Sequence, residues 1–252
     1  MTHMPETVQP PTPPMAEPLR PWGMTATTAW ALLAAAASMA TGALAIGFVF
    51  VDQITTADLS KDARLFGWLS LAALVGEIAV LALASKLARW RIVDYLALSL
   101  PSKREALVGF AATAALVGLL DVGTWLLGRD VITPFQVDIY RSARDSGAWL
   151  PPLLAIVIAA PLGEELMFRG FLFRGWARSE RLAVVTIIAT SLLWAALHTQ
   201  YDWFGIGQIA IIGLLLGWIR WRSGSTLLTI LLHAAVNAWA TVQTIVALEF
   251  LR

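Results

Sequence analysis

Long apolar stretches separated by short polar ones run along most of the chain. A helix needs about 20 mostly apolar residues to cross a lipid bilayer. By that measure the pattern predicts about seven spans, over residues 25–51, 65–88, 105–127, 149–174, 182–200, 203–219 and 225–250. We therefore predict an all-α fold, a polytopic transmembrane helical bundle.

Two segments outside these spans have patterns of their own. Residues 89–101 (RWRIVDYLALSLP) are too short and too charged to cross a bilayer, and their amphipathic character predicts a segment in the membrane interface. Residues 1–21 hold seven of the 12 prolines, which predicts a disordered tail. The apolar run after the tail is too long for a cleavable signal peptide, so we interpret it as a retained span.

Composition and charge narrow the class further. Hydrophobic residues make up 58% of the chain and charged residues 14%, far from the balance of a soluble domain. A net charge of +1 without a basic stripe argues against nucleic-acid binding. The absence of cysteine excludes disulfides, thiolate metal sites and a cysteine nucleophile.

The distribution of Lys and Arg predicts the orientation, because positively charged loops stay in the cytoplasm. With the N-terminus inside, twelve of the 18 Lys and Arg residues lie on the inner side and six on the outer side. We therefore expect a multi-pass protein of the bacterial cytoplasmic membrane whose N-terminus is cytoplasmic.

Two adjacent acids, Glu164 and Glu165, interrupt the fourth apolar run, and Arg169 follows in the same string, PLGEELMFRGF. Ionisable residues at membrane depth are costly and mark functional sites by default. Glu165 and Arg169 are four residues apart and share a helix face, so they are expected to form an ion pair. Glu164 is then left without a cationic partner and is a candidate general base. The alternative is a structural ion-pair cluster that ties helices together.

Both histidines beyond the tail also lie in apolar runs. Trp194 precedes His198 by one helical turn, and Asn237 follows His233 by one turn. The imidazole and amide N–H groups of the second pair could hold a developing oxyanion. Each pair alone is better explained by packing or interhelical hydrogen bonds. The conjunction of these pairs with two carboxylates on three separate helices favours one site.

Together these motifs resemble the CPBP (Abi) family of membrane endopeptidases, which includes the type II CAAX prenyl endopeptidases. The family signature of two glutamates, three residues and an arginine matches Glu164, Glu165 and Arg169. An aromatic residue four positions before a histidine matches Trp194 and His198, with Trp in place of the usual Phe. The histidine four positions before Asn or Asp follows at residues 233 and 237, and the resemblance covers roughly residues 105–250.

The resemblance implies peptide-bond hydrolysis within the membrane. Residues 105–252 would form the catalytic core, preceded by two spans and the interfacial segment over residues 22–104. The catalytic residues would be Glu164, which activates water, His198, which holds that water, and His233 with Asn237, which stabilise the oxyanion. Glu165, Arg169 and Trp194 would support them. The expected partners are the bilayer and a membrane-associated peptide or lipidated protein.

The resemblance leaves a metal cofactor open, because the family is named in places as a metalloprotease. Zinc is possible, with Glu164, His198 and His233 as its ligands. We favour a reaction without a cofactor, since the chain has no His-Glu-x-x-His motif.

Two other functions fit parts of the sequence. A proton-coupled transporter would use Glu77 and Asp121, two further acids at membrane depth, although no inverted repeat is visible. A catalytically silent immunity or scaffold protein would act through binding alone, and the complete motif set argues against it.

Overall fold

The computed structural model describes residues 19–49 and 61–251, so most of the tail predicted over residues 1–21 lies outside the described residues. The described parts are helical and contain no strand, which confirms the all-α fold. Their helices are α1 (Met24–Val49), α2 (Ala63–Leu87), α3 (Ile92–Tyr95), α4 (Lys103–Leu126), α5 (Pro134–Ser146), α6 (Leu150–Trp176), α7 (Glu180–Ala196), α8 (Trp203–Ser223) and α9 (Thr226–Phe250).

Six helices in the described ranges are long and apolar enough to cross a membrane: α1, α2, α4, α6, α8 and α9. The remaining predicted span, over residues 182–200, corresponds to α7, which has only 17 residues. At 1.5 Å per residue it is about 25 Å long, at the lower limit for a bilayer. The predicted end at residue 200 is wrong, because the helix stops at Ala196 before the polar turn that leads to the N-cap Asp202 of α8.

Helix α5 was not predicted, because it is too short and polar to count as a span. A capping box between Thr133 and Gln136 begins it, and Gly147 ends it at a φ of 65°. The buried residues Ile139, Tyr140 and Ala143 face the bundle. Helix α5 is therefore an amphipathic helix packed across the neighbouring helices.

The segment predicted to lie in the interface is more buried than expected. Tyr95, Leu96 and Ala97, in and just after α3, belong to the protein core. The carbonyl oxygen of Tyr95 accepts a hydrogen bond of 2.9 Å from Arg174 Nε, and that of Ala97 accepts one of 2.9 Å from the backbone N–H of Thr226. These bonds attach the segment to α6 and α9, because its carbonyls need partners once they are removed from water.

Helix α6 is irregular on both sides of the paired glutamates. Two π-helical segments, Ala155–Ala159 and Leu166–Leu172, interrupt it. Pro161 has no N–H to offer the carbonyl of Ile156, five residues earlier in the π pattern. The side-chain amide of Asn237 donates to that carbonyl instead, at 2.8 Å. A side chain of α9 thus supplies the hydrogen bond that Pro161 cannot make within α6.

Helix α2 packs closely on α6. A Cβ atom at Gly67 would lie 2.4 Å from the carbonyl carbon of Pro151, so only glycine permits this approach. Further along, a Cβ at Gly163 would lie 3.0 Å from Glu77 Oε2. The second span therefore supports the helix that carries the paired glutamates.

Candidate active site

Glu165 and Arg169 form the predicted ion pair inside the bundle. Arg169 Nη1 donates to Glu165 Oε1 at 2.9 Å, and both side chains are buried, at 0% and 1% exposure. Arg169 Nη2 donates to the carbonyl of Gly213 on α8 at 3.1 Å. Arg220, also on α8, donates from Nε to the carbonyl of Arg169 at 2.9 Å. This side of the site is a packed polar network.

Glu164 is more exposed than Glu165 and has a different hydrogen-bond donor. Its side chain is 29% exposed, and it has no ion pair with Lys or Arg among the residues that the structure describes. Its Oε2 accepts a hydrogen bond from the indole N–H of Trp194, and His233 Nε2 lies 3.9 Å from the same oxygen. Glu164 thus pairs with no Lys or Arg among the described residues, whereas His233, which was not predicted to pair with it, lies within ion-pair distance.

His233 bridges the two glutamates. Its Nδ1 lies 3.1 Å from Glu165 Oε1, while its Nε2 faces Glu164. An ionised carboxylate only accepts hydrogen bonds, so Nδ1 carries the proton. The remaining nitrogen, Nε2, is an acceptor in the neutral ring and a donor in the imidazolium ion.

Trp194 connects the remaining groups. Its ring makes edge contacts with His198 and His233 at centroid distances of 5.1 and 5.2 Å, and the guanidinium of Arg169 lies 4.7 Å from its ring centroid. His198 Nδ1 lies 2.9 Å from the carbonyl oxygen of Trp194. A carbonyl accepts only, so this bond leaves Nε2 of a neutral His198 free to accept.

One cavity of about 460 Å³ brings the predicted residues together. Its wall includes all four candidate catalytic residues and Trp194, whereas Glu165 and Arg169 lie behind it. The wall continues through α4, α5 and α8 to the turn before α8. The Trp194 side chain, which donates to Glu164 and contacts both histidine rings, connects these groups at the wall.

Tyr201 is a cavity residue that the sequence did not reveal. Its ring centroid lies 6.2 Å from that of His198, and it lines the cavity in the turn between α7 and α8. Burial and the Glu164 carboxylate raise the pKa of Tyr201 to about 12, so its hydroxyl keeps its proton and can donate. No motif marks it, because its position depends on where α7 ends.

The three residues that could have been zinc ligands, Glu164, His198 and His233, are not arranged to bind a metal ion. Zinc needs ligand atoms about 2.0–2.2 Å from one point. Glu164 is engaged by the N–H of Trp194, and the same indole is the shared neighbour of His198 and His233. Within residues 19–49 and 61–251, no group of three or more His, Asp or Glu could hold a metal ion.

The two acids considered for a transporter occupy different places. Glu77 lies on α2 against Gly163 and is absent from the cavity wall. Asp121 on α4 lines the cavity, and its Oδ2 accepts a hydrogen bond of 2.7 Å from Gln243 Nε2 on α9.

The fold and the site define a helical membrane protein with a largely apolar cavity that contains a few polar and charged groups. Residues 146–239 match the family model described as "Type II CAAX prenyl endopeptidase Rce1-like". This match confirms, for residues 146–239, the family resemblance that the three motifs indicated. The match contains every predicted site residue.

Two curated relatives are similar to this chain. An "Uncharacterized 24.3 kDa protein" of Escherichia coli is 32% identical over 131 residues, which cover 50% of this chain and 60% of the relative. The "UPF0177 protein YxdF" of Lactococcus lactis is 26% identical over 85 residues, or 34% of this chain and 44% of the relative. The chain thus spans roughly half the length of each. No solved structure matches it significantly.

Proposed function

We propose that this protein is an intramembrane endopeptidase that hydrolyses membrane-associated or lipidated peptides with water activated by Glu164. The observation that supports this proposal best is the contrast between the paired acids. Glu165 is neutralised and enclosed, while Glu164 faces a cavity that also contains His198, His233 and Asn237. Such a carboxylate can take a proton from a water molecule at the same wall.

The reaction needs one proton acceptor that later becomes a donor. Glu164 removes a proton from water, and the resulting hydroxide attacks the carbonyl carbon of the scissile bond. The tetrahedral intermediate collapses as the carbon–nitrogen bond breaks, and Glu164 returns the proton to the leaving amine. His198 holds the water through Nε2, the nitrogen left free by its bond to the Trp194 carbonyl.

The developing oxyanion needs hydrogen-bond donors that are already in place. His233, whose Nδ1–H is held by Glu165, can supply Nε2–H as an imidazolium ion. Asn237 uses one amide hydrogen for the Ile156 carbonyl and keeps the second for the oxyanion. Glu165 and Arg169 orient His233 and Trp194 from behind the cavity.

The proposed localisation is a bacterial cytoplasmic membrane, with the N-terminus on the cytoplasmic side. The proposed reaction uses no cofactor from outside the chain. Purified protein should therefore retain peptide cleavage after exhaustive chelation, and a loss that zinc restores would contradict this part of the proposal.

Comparing wild type with Glu164→Gln in native membranes tests the function. Mass spectrometry of membrane-associated peptides should show uncleaved precursors that accumulate in the variant. Purified wild type should cleave synthetic versions of them, whereas the folded variant should not. Equal cleavage by both proteins would overturn the proposal. Loss of proton-coupled flux in liposomes would support a transporter instead, and a phenotype that Glu164→Gln leaves intact would support a scaffold.

A further inference from the structure

We infer that Asp121 selects substrates that carry a positively charged side chain four or five residues from the scissile bond. This inference rests on the proposed function, and it concerns the end of the cavity away from Glu164. The wall there is formed by α4, α5 and α9.

Apart from the histidines, the ionisable acidic and basic side chains in the described part of the cavity wall are all acidic. Among the described residues of the wall, the Asp and Glu residues are Asp121 and Glu164, and none is Lys or Arg. Apart from His198 and His233, the rest of the wall is neutral, and much of it is apolar or aromatic. A peptide with a Lys or Arg side chain among apolar residues is complementary to this wall.

The hydrogen bond from Gln243 does not require a negatively charged residue at position 121. The Gln243 amide is a neutral donor 2.7 Å from Asp121 Oδ2, and the side-chain carbonyl of an asparagine would accept that bond equally well. A carboxylate in a cavity lined mostly by apolar residues is more costly to place than an amide. Within the described ranges, Asp121 has no ion-pair partner among the Lys, Arg and His residues. A cationic guest in the cavity would compensate the charge.

The distance to the reacting groups can be measured along α9. His233, which faces Glu164, and Gln243, which binds Asp121, are ten residues apart on this one helix. At 1.5 Å per residue the two positions are separated by about 15 Å. An extended peptide covers this distance with about four or five residues. The cation would therefore lie that far from the bond that is cleaved.

The test uses acetylated apolar peptides that contain one lysine, moved through successive positions on both sides of the cleaved bond. Matched peptides carry norleucine at the same position. Wild type should favour lysine by about tenfold in kcat/KM at the four- or five-residue position, and less elsewhere. Unacetylated norleucine peptides reveal whether an N-terminal ammonium group can replace the side chain. A flat lysine profile would overturn the inference.

The variant Asp121→Asn removes the charge and keeps the acceptor for Gln243. The lysine-to-norleucine ratio should fall from about tenfold to about one, and Asp121→Lys should favour a glutamate peptide instead. Asp145→Asn, on the exposed side of α5, is the matched control and should keep the wild-type ratio. An unchanged ratio in Asp121→Asn would contradict the inference. If this variant does not fold, the lysine position scan with wild-type protein tests the inference by itself.

A binding measurement separates this inference from the proposed function. Glu164→Gln protein should bind the lysine peptide about tenfold more tightly than the norleucine peptide, measured by fluorescence anisotropy. If wild type cleaves no peptide, the proposed function fails, while this affinity ratio still tests Asp121. Equal affinity for the two peptides would overturn the role of Asp121 even in an active protease.

Discussion

The two adjacent glutamates of the site have opposite environments. Behind the cavity wall, Glu165 is fully buried, its charge is balanced by Arg169, and it accepts a hydrogen bond from His233. At the wall, Glu164 is 29% exposed and is met by the N–H of Trp194 rather than by an arginine. Consecutive residues on a helix point about 100° apart, so one of two adjacent residues can face a packed network while the other faces a cavity. The packed side should govern stability and the cavity side turnover.

The largest expected effect on stability comes from Glu165→Leu. This change leaves the Arg169 guanidinium buried without its carboxylate, which costs about 3–5 kcal/mol of unfolding free energy. The double variant Glu165→Leu/Arg169→Leu should recover much of that loss, because no uncompensated charge remains. Denaturant unfolding in detergent measures both variants. A single variant as stable as wild type would show that the packed side does not support the fold.

Substitutions on the cavity side should lower turnover and leave stability nearly unchanged. His198→Ala removes the group that holds the attacking water, so kcat should fall by about 10²–10⁴-fold. Its unfolding midpoint should stay close to that of wild type, because the side chain lies beyond the end of α7. Peptide cleavage and thermal unfolding of one preparation test this prediction. A variant that loses stability but keeps its kcat would place His198 on the packed side.

A glycine on α8 links the two sides. A Cβ atom at Gly213 would lie 3.0 Å from the Trp194 ring and 3.2 Å from Arg169 Nη2. Gly213→Ala should therefore cost about 1–3 kcal/mol and lower turnover as Trp194 shifts. Gly207→Ala on the same helix meets nothing within 4 Å and is the matched control. Equal behaviour of the two variants, in unfolding and in cleavage, would refute the close packing.

Glu77 should have the smallest effect. It lies against Gly163 but outside the cavity wall, so Glu77→Gln keeps the shape of the contact without touching the reacting groups. Cleavage should stay within about threefold of wild type, a change of less than 1 kcal/mol in the activation barrier. A loss equal to that of Glu164→Gln would mean that the reacting carboxylate has been misplaced.

Most of the long helices could be predicted from apolar runs, because the thickness of the bilayer sets how many apolar residues a spanning helix needs. The pairing of Glu165 with Arg169 also follows from helical spacing. The bond from Asn237 to the Ile156 carbonyl could not be predicted, since it depends on π-helical turns around Pro161. Tyr201 was missed for a similar reason, because its place in the cavity depends on the end of α7.

The most direct test compares Glu164→Gln with Glu165→Gln in one experiment, measuring peptide cleavage and denaturant unfolding for each purified protein. We expect Glu164→Gln to abolish cleavage and to unfold like wild type. Glu165→Gln should instead lower the unfolding free energy, because it leaves Arg169 with a neutral partner. If Glu165→Gln abolished cleavage without loss of stability while Glu164→Gln remained active, the two carboxylates would have exchanged roles and this account would be wrong.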